Sequence, residues 1–126
     1  GAKVCRPDSD VWIIYGDGSV AYSLAEFDTF TRHKLPVIAL VGNDASWAQI
    51  KREQVDILKD DIATVLTHTD YHLAAEGYGG KGFLLNSLDN LQKVYKDSLK
   101  ISKSGQPVLI NAILGETDFR KGSISI

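Results

Sequence analysis

Three solid apolar runs constrain what this chain can fold into: Val11-Trp12-Ile13-Ile14-Tyr15, Leu35-Pro36-Val37-Ile38-Ala39-Leu40-Val41 and Val108-Leu109-Ile110-Asn111-Ala112-Ile113-Leu114. None alternates apolar with polar residues, so none reads as a strand with one wet face. Runs of this kind suit strands buried on both faces, as in a parallel sheet. Helix-forming segments separate them. The alternation predicts an α/β fold, a three-layer sandwich in which helices cover both faces of a mostly parallel sheet. Its crossovers should be right-handed.

The 126 residues suffice for one domain with a sizeable core. An apolar fraction of 44% and a charged fraction of 24% are those of a soluble globular protein. A net charge of −2 argues against a nucleic-acid partner. No apolar stretch approaches the roughly 20 residues needed to span a bilayer. The single Cys5 excludes an intrachain disulfide. With no Met in the sequence, Gly1 is not a translation start, and the chain reads as a fragment or processed product.

Between the runs the signals are uneven. Ser23-Leu24-Ala25-Glu26 fits a capping box, followed by Leu24, Phe27 and Phe30 at helical spacing. That helix should end near His33, because Pro36 disfavours helix in the residue before it. Residues 47–59 read as a loop with a short helix. Thr69-Asp70 should cap a short helix stopped by Gly77 and Gly79-Gly80, with a short strand at 82–85. From Ser87 a longer helix should present Leu88, Leu91, Val94, Tyr95 and Leu99 as one apolar face. Trp12 should be core, the three histidines surface or capping residues, and the tail after Gly115 polar and extended.

The chemistry sits where the first two runs end. The first stops at Gly16-Asp17-Gly18-Ser19 and the second at Gly42-Asn43-Asp44. In a parallel sheet, ligands bind outside the carboxyl ends of the strands. Mg²⁺ prefers one or two carboxylates completed by phosphates and water, which Asp17 and Asp44 could begin to supply. Gly16 and Gly18 would let the backbone turn sharply. The N–H groups of Gly18, Ser19 and Val20 would then face an anion near a helix start. Either turn alone is ordinary loop chemistry. Two at the ends of consecutive strands are a candidate site.

That pairing resembles the cofactor-binding signature of thiamine diphosphate enzymes. Here it reads Gly16-Asp17-Gly18-Ser19, an intervening helix and strand, then Asn43-Asp44. Tyr71-His72-Leu73-Ala74-Ala75-Glu76-Gly77-Tyr78-Gly79 and Gln106-Pro107-Val108-Leu109-Ile110 are similar to segments of acetolactate synthases and their relatives, 2-hydroxyacyl-CoA lyases included. Residues Thr117 to Ser125 add to the likeness.

The resemblance implies a carboxy-terminal domain, residues 1–126, that binds thiamine diphosphate through Mg²⁺ within a longer carbon–carbon lyase or ligase. It implies Asp17, Asp44 and the main-chain carbonyl of Ser46 as metal ligands. Gly16, Gly18, Ser19, Asn43 and Trp47 would line the cofactor site. Asp44 stands where the family carries a second Asn, which adds a negative charge beside the diphosphate. The glutamate that activates the cofactor belongs to an upstream domain, so neither Glu26 nor Glu76 takes that role, and the segment alone should not turn over. A 2-oxo acid or 2-hydroxyacyl-CoA substrate, upstream domains, a homo-oligomer and a parent anchored to the endoplasmic reticulum membrane facing the cytosol are further implications.

The residues leave two alternatives open: a non-catalytic nucleotide- or phosphate-binding module on a Rossmann-like sheet, and a purely structural or regulatory fragment. Gly16-Asp17-Gly18-Ser19-Val20-Ala21 fits a loose dinucleotide fingerprint. Against it, Asp17 would set a carboxylate beside the pyrophosphate with no metal to offset the repulsion.

Overall fold

The computed structural model describes residues 1–116. Thr117 onward, with most of the expected polar tail, lies outside the described residues. In chain order the elements are α1 (Ala2–Cys5), β1 (Val11–Gly16), α2 (Asp17–Ala21), α3 (Glu26–Arg32), β2 (Val37–Asn43), α4 (Ala48–Leu58), α5 (Tyr71–Gly77), β3 (Lys81–Leu85), a 3-10 turn at Leu88–Asn90, α6 (Leu91–Lys103) and β4 (Val108–Ile113). The four strands form one parallel sheet in the order β1-β2-β4-β3.

Helices cover both faces, as the apolar runs predict. On one face Val20 and Phe27, with Tyr71 and Ala75, pack against Ala39, Val41 and Leu109. On the other, Val94 packs with Ile38, Val108 and Ile110, and Leu99 and Ile101 close the margin. Burying a side chain such as Phe27 or Leu109 contributes about 1.5–3 kcal/mol. The face that α6 buries keeps Val94 and Leu99 of the expected set, but Leu91 and Tyr95 are exposed. Val94, Ser98 and Ser102 are buried, whereas Leu88 precedes the helix and is 83% exposed. Small serines let the helix approach the sheet closely, and the Ser102 hydroxyl donates to the Pro36 carbonyl at 3.3 Å.

Three further expectations are corrected. First, β1 is an edge strand, not a strand buried on both faces. Among the described residues it pairs only with β2, and along its length half-buried residues alternate with exposed ones. Trp12 is therefore not core; it is 36% exposed and stacks on Tyr95 with ring centroids 6.0 Å apart. Second, the capping box does not form. The cap position of α3 is Ala25, with no side-chain cap, and the Ser23 hydroxyl instead faces the Tyr15 hydroxyl at 3.4 Å. Third, 48–58 is a full eleven-residue helix in which no residue is buried. Its apolar residues Ile50, Val55, Ile57 and Leu58 are exposed, so no core-facing period announced it.

The end of α3 at Arg32, before Pro36, is as expected. Among the described residues no helix is long and apolar enough to cross a membrane.

Candidate cofactor site

Strand register builds the site. Gly16 lies opposite Gly42 on neighbouring parallel strands, so both acidic turns leave the sheet at one level. Asp17 is the first residue of α2 and only 2% exposed. Its Oδ1 accepts the Gly18 N–H at 2.8 Å, and its Oδ2 accepts the Ser46 N–H at 3.1 Å. The turn after β1 and the loop after β2 are thus tied through one carboxylate. Each Asp17 oxygen keeps further acceptor capacity.

Asp44 is half-buried beside it. Burial, and then the negative charge of Asp17, raise the Asp44 carboxyl above the ordinary value of 3.8, while the Asp44 and Ser46 backbone N–H groups oppose the rise. Two carboxylates that repel each other in a partly desolvated place would be relieved by a cation. The Ser46 hydroxyl is buried without a hydrogen-bond partner among the described residues, a further oxygen at the same loop. Among the described residues, no three or more His, Cys, Asp or Glu side chains gather to hold a metal alone. A donor set of two carboxylates with neighbouring hydroxyl and carbonyl oxygens fits Mg²⁺, whose shell is ordinarily completed by phosphate and water.

The loop itself is held in shape from outside. Ala45 takes a left-handed backbone conformation, with φ of 55°. The Trp47 N–H donates to the Thr64 carbonyl and the Leu66 N–H to the Ala45 carbonyl, both at 2.8 Å, and Ser46 bridges Val65. Gly18 is required for packing: a Cβ there would sit 2.6 Å from the Trp47 ring carbons. Trp47 therefore covers the turn and faces Tyr22 across 6.1 Å. Among the described residues, nothing lies within 4 Å of where a Gly16 Cβ would sit. Ser19 is exposed on α2, whereas the Gly18 N–H is already engaged by Asp17.

Asn43 behaves differently from its neighbours. It is fully buried; its Nδ2 donates to the Thr69 carbonyl at 3.2 Å and to Asn111 Oδ1 at 3.1 Å, and its Oδ1 faces His68 Nδ1 at 3.3 Å. Asn111, also fully buried, donates to the Thr69 carbonyl at 3.0 Å and meets His72 Nδ1 at 3.4 Å. Sequence reasoning missed Asn111. The available signal was a lone amide inside the apolar run 108–114. His33 and His68 are exposed, as expected, although His68 Nδ1 faces Asn43; His72 departs from the expectation, half-buried with its Nδ1 facing Asn111.

Paired acidic turns at the carboxyl ends of adjacent parallel strands mark an α/β domain of the kind that carries its ligand at the strand ends. Comparison with known proteins specifies the kind. The family model described as thiamine pyrophosphate enzyme, C-terminal TPP binding domain, matches residues 1–112, and the chain belongs to that family. Thiamine diphosphate, the same compound as thiamine pyrophosphate, is its cofactor. The 2-hydroxyacyl-CoA lyase 2 of Danio rerio is 59% identical over 128 residues, covering 100% of this chain and 21% of the relative. The Homo sapiens protein of the same name is 54% identical over 128 residues, covering 100% and 20%. Among solved structures, the thiamine diphosphate-dependent 4-hydroxybenzoylformate decarboxylase of Rhodococcus jostii RHA1 superposes with a TM-score of 0.81 at 22% identity, covering 93% of this chain and 22% of that one. That likeness shows the shared fold. The chain spans about a fifth of the length of these curated relatives.

Proposed function

We propose that Asp17, Asp44 and the Ser46 main-chain carbonyl hold Mg²⁺, and through it the diphosphate of the cofactor. On this reading residues 1–126 are the carboxy-terminal cofactor-binding domain of a longer carbon–carbon lyase or ligase, of the 2-hydroxyacyl-CoA lyase or acetolactate synthase type. The observation that carries it is the hydrogen bond from Ser46 N–H to Asp17 Oδ2, which brings both acidic turns to one place. When bound, the cofactor supplies the electron sink for carbon–carbon cleavage or formation.

This chain's own residues supply placement. Asp17, fixed by two backbone donors, presents a preorganised carboxylate. Asp44 adds the second charge. Gly18 and Ser19 lie next to the diphosphate, and Trp47 keeps water from the turn. Neither Glu26 nor Glu76 is placed at this site, and activation of the cofactor falls to an upstream domain. The names of the curated relatives support a 2-hydroxyacyl-CoA substrate, and a 2-oxo acid rests on the family resemblance. Assembly as a homo-oligomer and anchoring of the parent at the endoplasmic reticulum rest on the family resemblance alone.

A Trp12→Phe chain keeps Trp47 as its single tryptophan. Its emission should change on adding thiamine diphosphate with Mg²⁺ and stay constant with either alone. An unchanged emission, or a change that ignores Mg²⁺, contradicts the proposal.

A further inference from the structure

Asn111 lies in the middle of β4, far in sequence from both acidic turns, yet it organises the loop that carries one of them. The hydrogen-bonding capacity of the amides fixes the arrangement. Asn43 spends both Nδ2 hydrogens, on the Thr69 carbonyl and on Asn111 Oδ1. Its Oδ1 can then only accept, so His68 carries its proton on Nδ1. Asn111 in turn spends its Nδ2 hydrogens on the Thr69 carbonyl and on His72 Nδ1, which is therefore bare. The Thr69 carbonyl receives one amide from β2 and one from β4.

Residues 64–69 consequently form a strap fastened at two ends. At one end the Thr69 carbonyl is held to the sheet by Asn43 and Asn111. At the other, Thr64, Val65 and Leu66 are laced to Ala45, Ser46 and Trp47. Ser46 then holds Asp17. Hydrogen bonds joined through the backbone of residues 66–69 thus lead from Asn111 to Asp17, and Asn43 adds a direct covalent link to the loop, since Asp44 follows it.

We propose that Asn111 is a positioning residue, which through Asn43 and the Thr69 carbonyl sets the loop Asp44–Trp47 in the conformation the cofactor site needs. Asn43 then serves the site as a strut, not as a direct contact to the cofactor. The proposal rests on the reading that Asp17, Asp44 and Ser46 hold the metal. Partners behind a metal's ligands commonly change metal affinity by about 10–100-fold when removed.

The test compares Asn111→Ala with Ile110→Ala in the full chain. Ile110 is the preceding residue and belongs to the cluster under α6, on the opposite face. It reports what a loss of stability alone does. Amide hydrogen exchange by NMR should be about tenfold faster at Trp47 and Leu66 in Asn111→Ala than in Ile110→Ala at a comparable loss of melting temperature. Equal exchange in the two variants overturns the proposal. Affinity for thiamine diphosphate with Mg²⁺ should fall about tenfold in Asn111→Ala and be abolished in Asp17→Ala. Loss in Asp17→Ala with wild-type affinity in Asn111→Ala overturns the positioning role while the site reading stands. Wild-type affinity in Asp17→Ala defeats the site reading, and the exchange data still decide whether the strap exists. Should Asn111→Ala fail to fold, Asn111→Ser is read out in the same way.

Discussion

The Ser46 N–H donates to Asp17 Oδ2 at 3.1 Å, across twenty-nine positions of sequence and two neighbouring strand ends. This one bond turns two common loop sequences into a single site. It requires parallel register between β1 and β2, the left-handed Ala45, and a strap from 64 to 66 that holds the loop in reach.

Gly18→Ala should destabilise the chain by about 1–3 kcal/mol, the usual range for overpacking. The new methyl would meet the Trp47 ring at 2.6 Å. Gly16→Ala should stay within about 0.5 kcal/mol, because that Cβ meets nothing within 4 Å and the backbone is extended. Urea denaturation measures both. Adding Trp47→Ala should recover most of the loss in Gly18→Ala, and an additive double variant would contradict the packing account.

Asp44→Asn separates metal binding from stability. Without metal, burial and Asp17 raise the folded carboxyl above its ordinary value. A raised folded value stabilises below the unfolded one and is lost as pH rises through the folded one. At pH 7 the ionised Asp44 is therefore a cost, and Asp44→Asn should melt higher than wild type without metal, the difference closing below about pH 4. The same variant should bind Mg²⁺ about tenfold more weakly. A lower melting temperature at pH 7 would contradict the assignment of the two charges.

Glu76 gives the opposite pH sign. Its hydrogen bond to Lys81, helped by the Gly82 N–H, holds the carboxyl below its ordinary value of 4.5. The contribution is present above the unfolded value and disappears as pH falls through the folded one. Glu76→Gln should melt slightly below wild type at pH 7 and level with it once the wild-type Glu76 carboxyl is protonated. A constant offset across that range would show that Lys81 is not the cause.

Legibility in the sequence followed what each segment touches. β2 and β4 were readable because their side chains meet helices on both faces, and the end of α3 because Pro36 forbids its continuation. β1 carries the same apolar composition, but composition does not reveal that the strand lies at an edge, with Ile14 79% exposed. α4 was obscured because its apolar residues meet no core within the described residues. The Asp17–Asp44 pairing was legible from strand order, since parallel strands deliver their carboxyl ends to one side. Asn111 was not, because its partners Asn43, Thr69 and His72 converge only in three dimensions.

On the proposed reading, this domain grips its cofactor through a metal held by Asp17 and Asp44. Isothermal titration of the chain with thiamine diphosphate tests it most directly. Binding should be measurable with Mg²⁺, disappear in chelator, and be absent in Asp17→Ala even with Mg²⁺. Binding of equal strength in chelator, or in Asp17→Ala, would contradict it.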